Sequence, residues 1–281
     1  MNNRSSKISF KKMQGAGNDF IIIDNRVNAL SKEDIIALAP DLCDRRFGIG
    51  ADGVIALLPS KNSSPDFSMF YRNADGSDAG MCGNGARCLA LYASNLGLGE
   101  QLSFDVHDII YEATVEPSQN KVTVLFPMKV VVQKVAIENE PPLLKVQAGT
   151  EHIVFQVDEE TLSDRDYLVS EGRKLREHPR FNPPGTNVNF ICGDSKNSLA
   201  LRTYERGVED LTLACGTGAI ASALAWHHIQ KPSKAGDYTT NVKSEGGKLQ
   251  IRYFFDPTNN IYKNIQLIGE AHFVFEGVYT Y

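Results

Sequence analysis

What the chain lacks narrows the field before any motif is read. Its 281 residues include one tryptophan and no apolar stretch near the roughly 20 residues that cross a bilayer. The basic segment Met1 to Met13 carries no apolar h-region, so the protein is expected to stay in the cytosol and off membranes. Lysine and arginine number 29 against 34 aspartates and glutamates, a net charge of −5 with no dense basic run, which argues against a nucleic-acid partner. Five cysteines, an odd number, do not make a secreted disulfide framework, and reduced thiols are expected. There is no Cys-x-x-Cys redox pair and no Gly-Lys-Ser/Thr phosphate loop. The glycines at 15 and 17 fail the dinucleotide pattern because Phe20 stands where the third glycine would be. Cys82 and Cys88 have neither zinc-ligand spacing nor a second Cys/His pair, so no metal is expected.

What is present is a duplication. Met81-Cys82-Gly83-Asn84-Gly85-Ala86 returns 133 positions later as Ala214-Cys215-Gly216-Thr217-Gly218-Ala219. Aligned from Met81 to Ala93 and from Ala214 to Trp226, the two stretches match at six of thirteen positions. Tyr71 precedes Cys82 by the same eleven residues that separate Tyr204 from Cys215. Gly17 to Ile23 likewise resembles Gly149 to Phe155. A period this long means paired domains rather than a solenoid, whose repeats run to about 20 to 50 residues. A composition 42% hydrophobic can fill two cores.

In each half, short apolar runs surround one long apolar segment of helical spacing. Strands are expected at 8–13, 20–24, 54–58, 67–72, 102–106, 109–115 and 122–126, with a helix at 85–95. Ser31 and Asp34 form a capping-box pattern that opens an earlier helix at Lys32, which Pro40 is expected to stop or kink. The second half repeats this order with strands near 129–137, 152–157, 187–192 and 200–204, a helix at 216–229, and strands at 239–242, 247–255, 264–269 and 271–275. Ala219, Ala221, Ala223 and Ala225 put small side chains on several sides of that helix, permitting close packing by an enclosing sheet. The fold class is α+β: two pseudo-symmetric domains, each a mainly antiparallel sheet wrapped around a central helix. The boundary is placed after Phe126-Pro127, where proline ends the strand.

Each Cys-Gly-x-Gly sits where a polar loop meets an apolar helix, so the first backbone N–H groups of that helix can bind a carboxylate, and the glycines admit it closely. The same helix end favours thiolate over thiol. At up to ~2 kcal/mol it lowers a free thiol from about 8.5 to about 7. Glu205 and His152 are candidate partners that complete this tuning. Two such bases of similar strength suit inversion of a stereocentre, in which one group removes the Cα proton and the other returns a proton to the opposite face.

At these residues the chain closely resembles the diaminopimelate epimerases, racemases that need no pyridoxal phosphate. The matching segments are Gly15-Ala-Gly-Asn-Asp-Phe20, Arg72-Asn-Ala-Asp-Gly-Ser77, Cys82-Gly-Asn-Gly-Ala-Arg-Cys88, Glu205-Arg-Gly-Val208 and Ala214-Cys-Gly-Thr-Gly-Ala219. The resemblance implies interconversion of LL- and meso-2,6-diaminopimelate, for lysine and peptidoglycan precursors, in a cleft between two domains. It makes Cys82 and Cys215 the catalytic pair, and the amides of Gly83, Asn84, Gly216 and Thr217 the α-carboxylate site. It gives Asn18, Asn73, Asn187, Glu205 and Arg206 to substrate binding, with the planar guanidinium of Arg206 on the distal carboxylate. It also returns the last strand to the first domain, so that the domains become 1–127 plus 270–281 and 128–269, and it implies a homodimer. The usual Gly-Asn-Pro-His segment appears here as Gly149-Thr150-Glu151-His152. Losing that asparagine leaves fewer polar groups to read the distal end, and some tolerance of glutamate is expected. Two further readings of the thiols are a redox switch and a non-catalytic amino-acid-binding module. Cys43, Cys88 and Cys192 are assigned to the core, and His227 and His228 to packing or surface.

Overall fold

The computed structural model describes residues 6–60, 64–78, 80–138 and 141–281. The reading of the basic N-terminal segment therefore falls partly on residues 1–5, outside the described residues. In chain order the elements are β1 (Lys7–Gly15), β2 (Asn18–Asp24), α1 (Asn25–Asn28), α2 (Lys32–Cys43), β3 (Gly53–Pro59), β4 (Phe67–Asn73) and α3 (Gly83–Ala93), then β5 (Gln101–Val106), β6 (Ile109–Glu116) and β7 (Lys121–Phe126). There follow β8 (Val132–Val135), β9 (Leu143–Ala148), β10 (Thr150–Gln156), α4 (Glu159–Ser163), α5 (Arg165–Glu177), β11 (Asn187–Ser195), β12 (Ser198–Glu205) and β13 (Asp210–Thr212). The chain ends with α6 (Gly216–Ile229), β14 (Gly236–Ser244), β15 (Gly247–Asp256), β16 (Ile261–Glu270) and β17 (His272–Thr280).

The chain divides into two compact units, Met1–Val124 with Gly269–Tyr281, and Leu125–Ile268. In the first, neighbouring strands run β17-β1-β2-β3-β4-β5-β6, and the successive pairings are antiparallel, antiparallel, parallel, antiparallel, parallel, antiparallel. In the second, β8-β9-β10-β11-β12-β14-β15 follow the same succession of directions. The duplication is thus written in the hydrogen bonding: β2 corresponds to β10, β3 to β11, β4 to β12, and the chain's last strand, β17, takes the place in the first unit that β8 takes in the second.

Each sheet carries helices on both faces, which is why β2 reads Phe-Ile-Ile-Ile without alternation. Ile21 and Ile23 pack with Val54, Ala56 and Phe70 against Ile35, Ala39 and Leu42 of α2. At the equivalent places Ile153, Phe155, Val188 and Phe190 meet Leu168 and Leu175 of α5. On the opposite face lie α3, with every residue buried, and α6, buried along most of its length. Glycine and alanine make up five of the eleven residues of α3 and six of the fourteen of α6, and these small side chains let the surrounding strands approach closely.

Several expectations are corrected. Pro40 lies inside α2, which continues to Cys43, so of the two outcomes expected of it the stop does not occur; the Ser31–Asp34 capping box opens the helix as expected. Proline deletes one hydrogen bond, and here the buried face of Ala39, Leu42 and Cys43 holds the last turn in place. The strand expected over 129–137 is confined to Val132–Val135. The polar α5 and the strand β9 fall in a stretch where no element was expected. Cys192 is half-buried and packs against the core of the second unit, whereas Cys43 and Cys88 are buried, and burial pushes each of their thiols up to about 12.

Candidate active site

Cys82 and Cys215 are the N-caps of α3 and α6, with nearly identical backbone angles: φ −112°, ψ 115° and φ −115°, ψ 114°. Each thiol accepts the backbone N–H three residues on, from Gly85 at 3.4 Å and from Gly218 at 3.3 Å. For the N–H groups of Gly83 and Asn84, and of Gly216 and Thr217, the helical pattern itself supplies no acceptor, which leaves two small anion sites beside two sulfurs. Cys82 is half-buried and Cys215 is buried.

In the first unit, β2 brings Asn18 to Cys82. The Asn18 Oδ1 lies 3.7 Å from Cys82 Sγ and 3.4 Å from Asn84 Nδ2. Both amides are oriented by charged neighbours: Asn18 Nδ2 donates to Asp52 Oδ2, and Arg87 Nη2 donates to Asn84 Oδ1 at 3.0 Å. Asp52 is itself held by Arg45 at 2.7 Å. Burial would raise the neighbouring Asp19 carboxyl, but Arg45 and Lys12 hold it well below the usual carboxylate range. Arg87, fully buried in α3, donates to Gly83 O and Glu270 O as well. Asn73 lies at the end of β4, where its side chain donates to Ser77 Oγ at 3.0 Å.

In the second unit, β10, β11 and β12 assemble a polar cluster around the start of α6. His152 is fully buried, and that burial, with a smaller effect from Arg206, drives its ring down to about 3. The imidazole is therefore neutral. Its Nδ1 lies 3.0 Å from Asn189 Nδ2, which also donates to Ile153 O, so Nδ1 accepts and Nε2 carries the hydrogen. Nε2 lies 3.0 Å from both Thr150 Oγ1 and Thr217 Oγ1. Thr217 Oγ1 in turn stands 3.5 Å from Cys215 Sγ. Asn187 accepts the Arg206 backbone N–H at 2.9 Å and donates to Thr150 Oγ1 at 3.2 Å. Arg206 Nη1 donates to Gly185 O at 3.2 Å, and Glu205 Oε2 accepts from Thr212 at 2.9 Å. Glu151 is ion-paired with Lys145 at 2.6 Å.

Each half thus gathers its own share of the expected residues: Asn18, Gly83 and Asn84 about Cys82, and His152, Asn187, Gly216 and Thr217 about Cys215, with Arg206 tied in through Asn187. Asp52, Arg87, Asn189 and Thr203 were not anticipated. Asn189 was within reach of the pattern, since it follows Asn187 by two on one strand and so shares its face. Asp52 and Arg87 carry no local signal, because what they orient is far from them in sequence or concealed by burial.

Two sheets of matching strand directions, each closed around a helix that begins at Cys-Gly-x-Gly, define a class of two-domain epimerase-like folds. The chain has that fold: it superposes on a phenazine biosynthesis protein of the PhzF family from Bacillus anthracis with a TM-score of 0.76, at 14% identity over 98% of this chain and 99% of that one. A hydroxyproline epimerase from Agrobacterium vitis gives a TM-score of 0.70, at 16% identity over 99% and 92% of the two chains. The chain belongs to the diaminopimelate epimerase family, whose model matches residues 10–128 and 144–274. A diaminopimelate epimerase of Flavobacterium psychrophilum is 43% identical over 94% of this chain and 97% of its own, and one of Hydrogenobaculum is 36% identical over 96% and 98%. Membership places the protein among the isomerases.

Proposed function

We propose that the protein interconverts LL- and meso-2,6-diaminopimelate by a two-base mechanism, in the supply of lysine and peptidoglycan precursors. The observation that carries this reading is the pair of N-cap cysteines in the same backbone conformation, each receiving a helix N–H at its sulfur. One cysteine thiolate takes the Cα proton and becomes a thiol; the other, starting as a thiol, gives its proton to the opposite face and becomes a thiolate. No electrons leave the system, and reversal of the substrate exchanges the two roles. The helix N-termini favour the α-carboxylate and the negative charge that develops beside it. Gly83 and Asn84 with Gly216 and Thr217 supply those N–H groups, Asn18, Asn73 and Asn187 hold polar groups of the substrate, and Arg206 with Glu205 reads its far end. His152, buried and neutral, acts by orienting hydroxyls rather than by exchanging a proton with substrate.

Glutamate is a second substrate on this reading, because Thr150 offers a short hydroxyl already engaged by Asn187 and His152 where the family's usual segment carries an asparagine amide. The working form is a cytoplasmic homodimer, supported by the apolar β17, where Phe273, Val274, Phe275 and Val278 are 40–60% exposed. The test is incubation with LL-diaminopimelate and L-glutamate in parallel, following the stereoisomers formed. Turnover of diaminopimelate is expected, with slower racemisation of glutamate. No epimerisation of diaminopimelate contradicts the function, and none of glutamate contradicts the wider specificity.

A further inference from the structure

Superposing the two halves by their strand pairings shows an inequality that the matching backbones conceal. Asn18 and Thr150 open equivalent strands, and Asn84 and Thr217 are the second residues of equivalent helices. Phe20 and Ile55, which a Cβ on Gly85 would meet, correspond to His152 and Asn189; a Cβ on Gly218 would meet Asn189 Oδ1. Around Cys82 the lining is two amides backed by apolar groups, and around Cys215 it is two hydroxyls backed by a buried histidine and asparagine.

Each sulfur accepts one helix N–H, but the side chains beside the two have opposite hydrogen-bonding sense. Asn18 must turn its Nδ2 to the Asp52 carboxylate, so it presents an oxygen to Cys82, and only the protonated thiol has a hydrogen to give it. At Cys215 a chain of donors runs toward the two threonines. Thr203 donates to Asn189 Oδ1 at 3.0 Å, Asn189 donates to His152 Nδ1, and His152 Nε2–H is directed at Thr150 and Thr217. Asn187, fixed by the Arg206 N–H, donates to Thr150. The hydroxyl hydrogen of Thr217 has two acceptors within reach, Cys215 Sγ at 3.5 Å and Thr150 Oγ1 at 3.4 Å; Thr150 already receives Asn187, and a charged acceptor makes the stronger hydrogen bond, which favours Cys215 as the thiolate.

Resting on the two-thiol reading above, we propose that the resting enzyme holds Cys82 as the thiol and Cys215 as the thiolate, with Asp52, Asn189 and Thr203 as positioning residues that fix this polarity through Asn18 and through His152 and Thr217. The enzyme is then set to take a Cα proton with Cys215 and return one from Cys82; after one such turnover the polarity is reversed, and proton exchange with solvent or the reverse reaction restores it. Charged groups also face the two sites. Arg87 on α3 attracts a thiolate at Cys82, with its donors held by Gly83, Asn84 and Glu270. Asp19 and Asp52, behind Asn18, oppose it and are themselves paired with Lys12 and Arg45. In the second unit Arg206 faces the neutral His152, and Glu205 is engaged by Thr212.

The experiment measures the rate of iodoacetamide labelling of each cysteine against pH in the whole enzyme, by peptide mass spectrometry; the midpoint reports ionisation independently of access. Cys215 is expected to ionise about one pH unit below Cys82, a roughly tenfold difference in thiolate at a given pH. Thr217→Val and Asn189→Asp should each remove most of that separation, and Thr217→Ser should keep it. Equal midpoints, a lower midpoint at Cys82, or a Thr217→Val enzyme with the wild-type separation overturns the assignment. The wild-type comparison decides even if a variant does not fold. An enzyme that turns over diaminopimelate with equal midpoints refutes the polarity alone, whereas ordered midpoints without turnover refute the function alone.

Discussion

At the scale of single residues, the account turns on two sulfurs and the groups that aim protons at them. Cys82→Ser and Cys215→Ser should each lower turnover of diaminopimelate by at least about 10²-fold, because a serine hydroxyl is a far weaker acid and base near neutrality. A steady-state assay reads this directly, and a serine variant with wild-type rate would remove that cysteine from the chemistry. His152 makes a different prediction. Its folded value, near 3, lies below the ordinary 6.5, so as the pH falls the unfolded chain takes up a proton that the folded protein refuses. Stability should therefore decline between about pH 6.5 and pH 3, at up to about 1.4 kcal/mol per pH unit from this residue. His227, lowered by burial to about 4, adds to the decline over the upper part of that range. Denaturant titrations should show a shallower acid slope in His152→Asn than in the parent.

At the scale of elements, the two helix starts look interchangeable in sequence yet differ in what crowds them. A methyl on Gly85 would come within 2.7 Å of Ile55 Cδ1, the far end of a side chain that can turn aside. A methyl on Gly218 would come within 2.6 Å of Asn189 Oδ1, an amide pinned by Thr203 and placed to donate to His152. Gly218→Ala should thus cost more than Gly85→Ala, about 1–3 kcal/mol in thermal or chemical unfolding, with a larger loss of activity. Equal effects at the two glycines would show that the asymmetry in lining has no mechanical consequence. The helices themselves were legible because composition and position agree: a Gly-rich start followed by alanines can only be a close-packed helix. Helix α5 was not legible, since only Leu168, Leu175 and the partly buried Val169 turn inward among many charges, and its reason for existing is the apolar face of β10 and β11 that it covers. That α2 runs on past Pro40 was not legible for the same reason, because burial of the final turn lies outside the local rule.

At the scale of the whole molecule, the duplication was the most legible feature, because the repeated Cys-Gly-x-Gly and its flanks survive in sequence where most of the fold has diverged. The α+β class followed from it. The matching succession of parallel and antiparallel pairings could not be read in advance, since it depends on partners distant in the chain, as β17 beside β1 demonstrates. Nor could the division of labour around the cysteines, where Asp52 and Arg87 act through other side chains. The exposed β17 belongs to this scale as well: on the homodimer proposed above, Val278→Lys should shift sedimentation from dimer toward monomer, and an unchanged sedimentation would contradict an interface at that strand. The central claim, that one thiol removes a proton and a different thiol supplies one, is tested most directly by converting LL-diaminopimelate in D2O and examining the first turnovers. The account predicts deuterium at the inverted Cα of the meso product and none in the LL substrate that remains; equal labelling of both at the outset would mean a single base serves both faces and would contradict it.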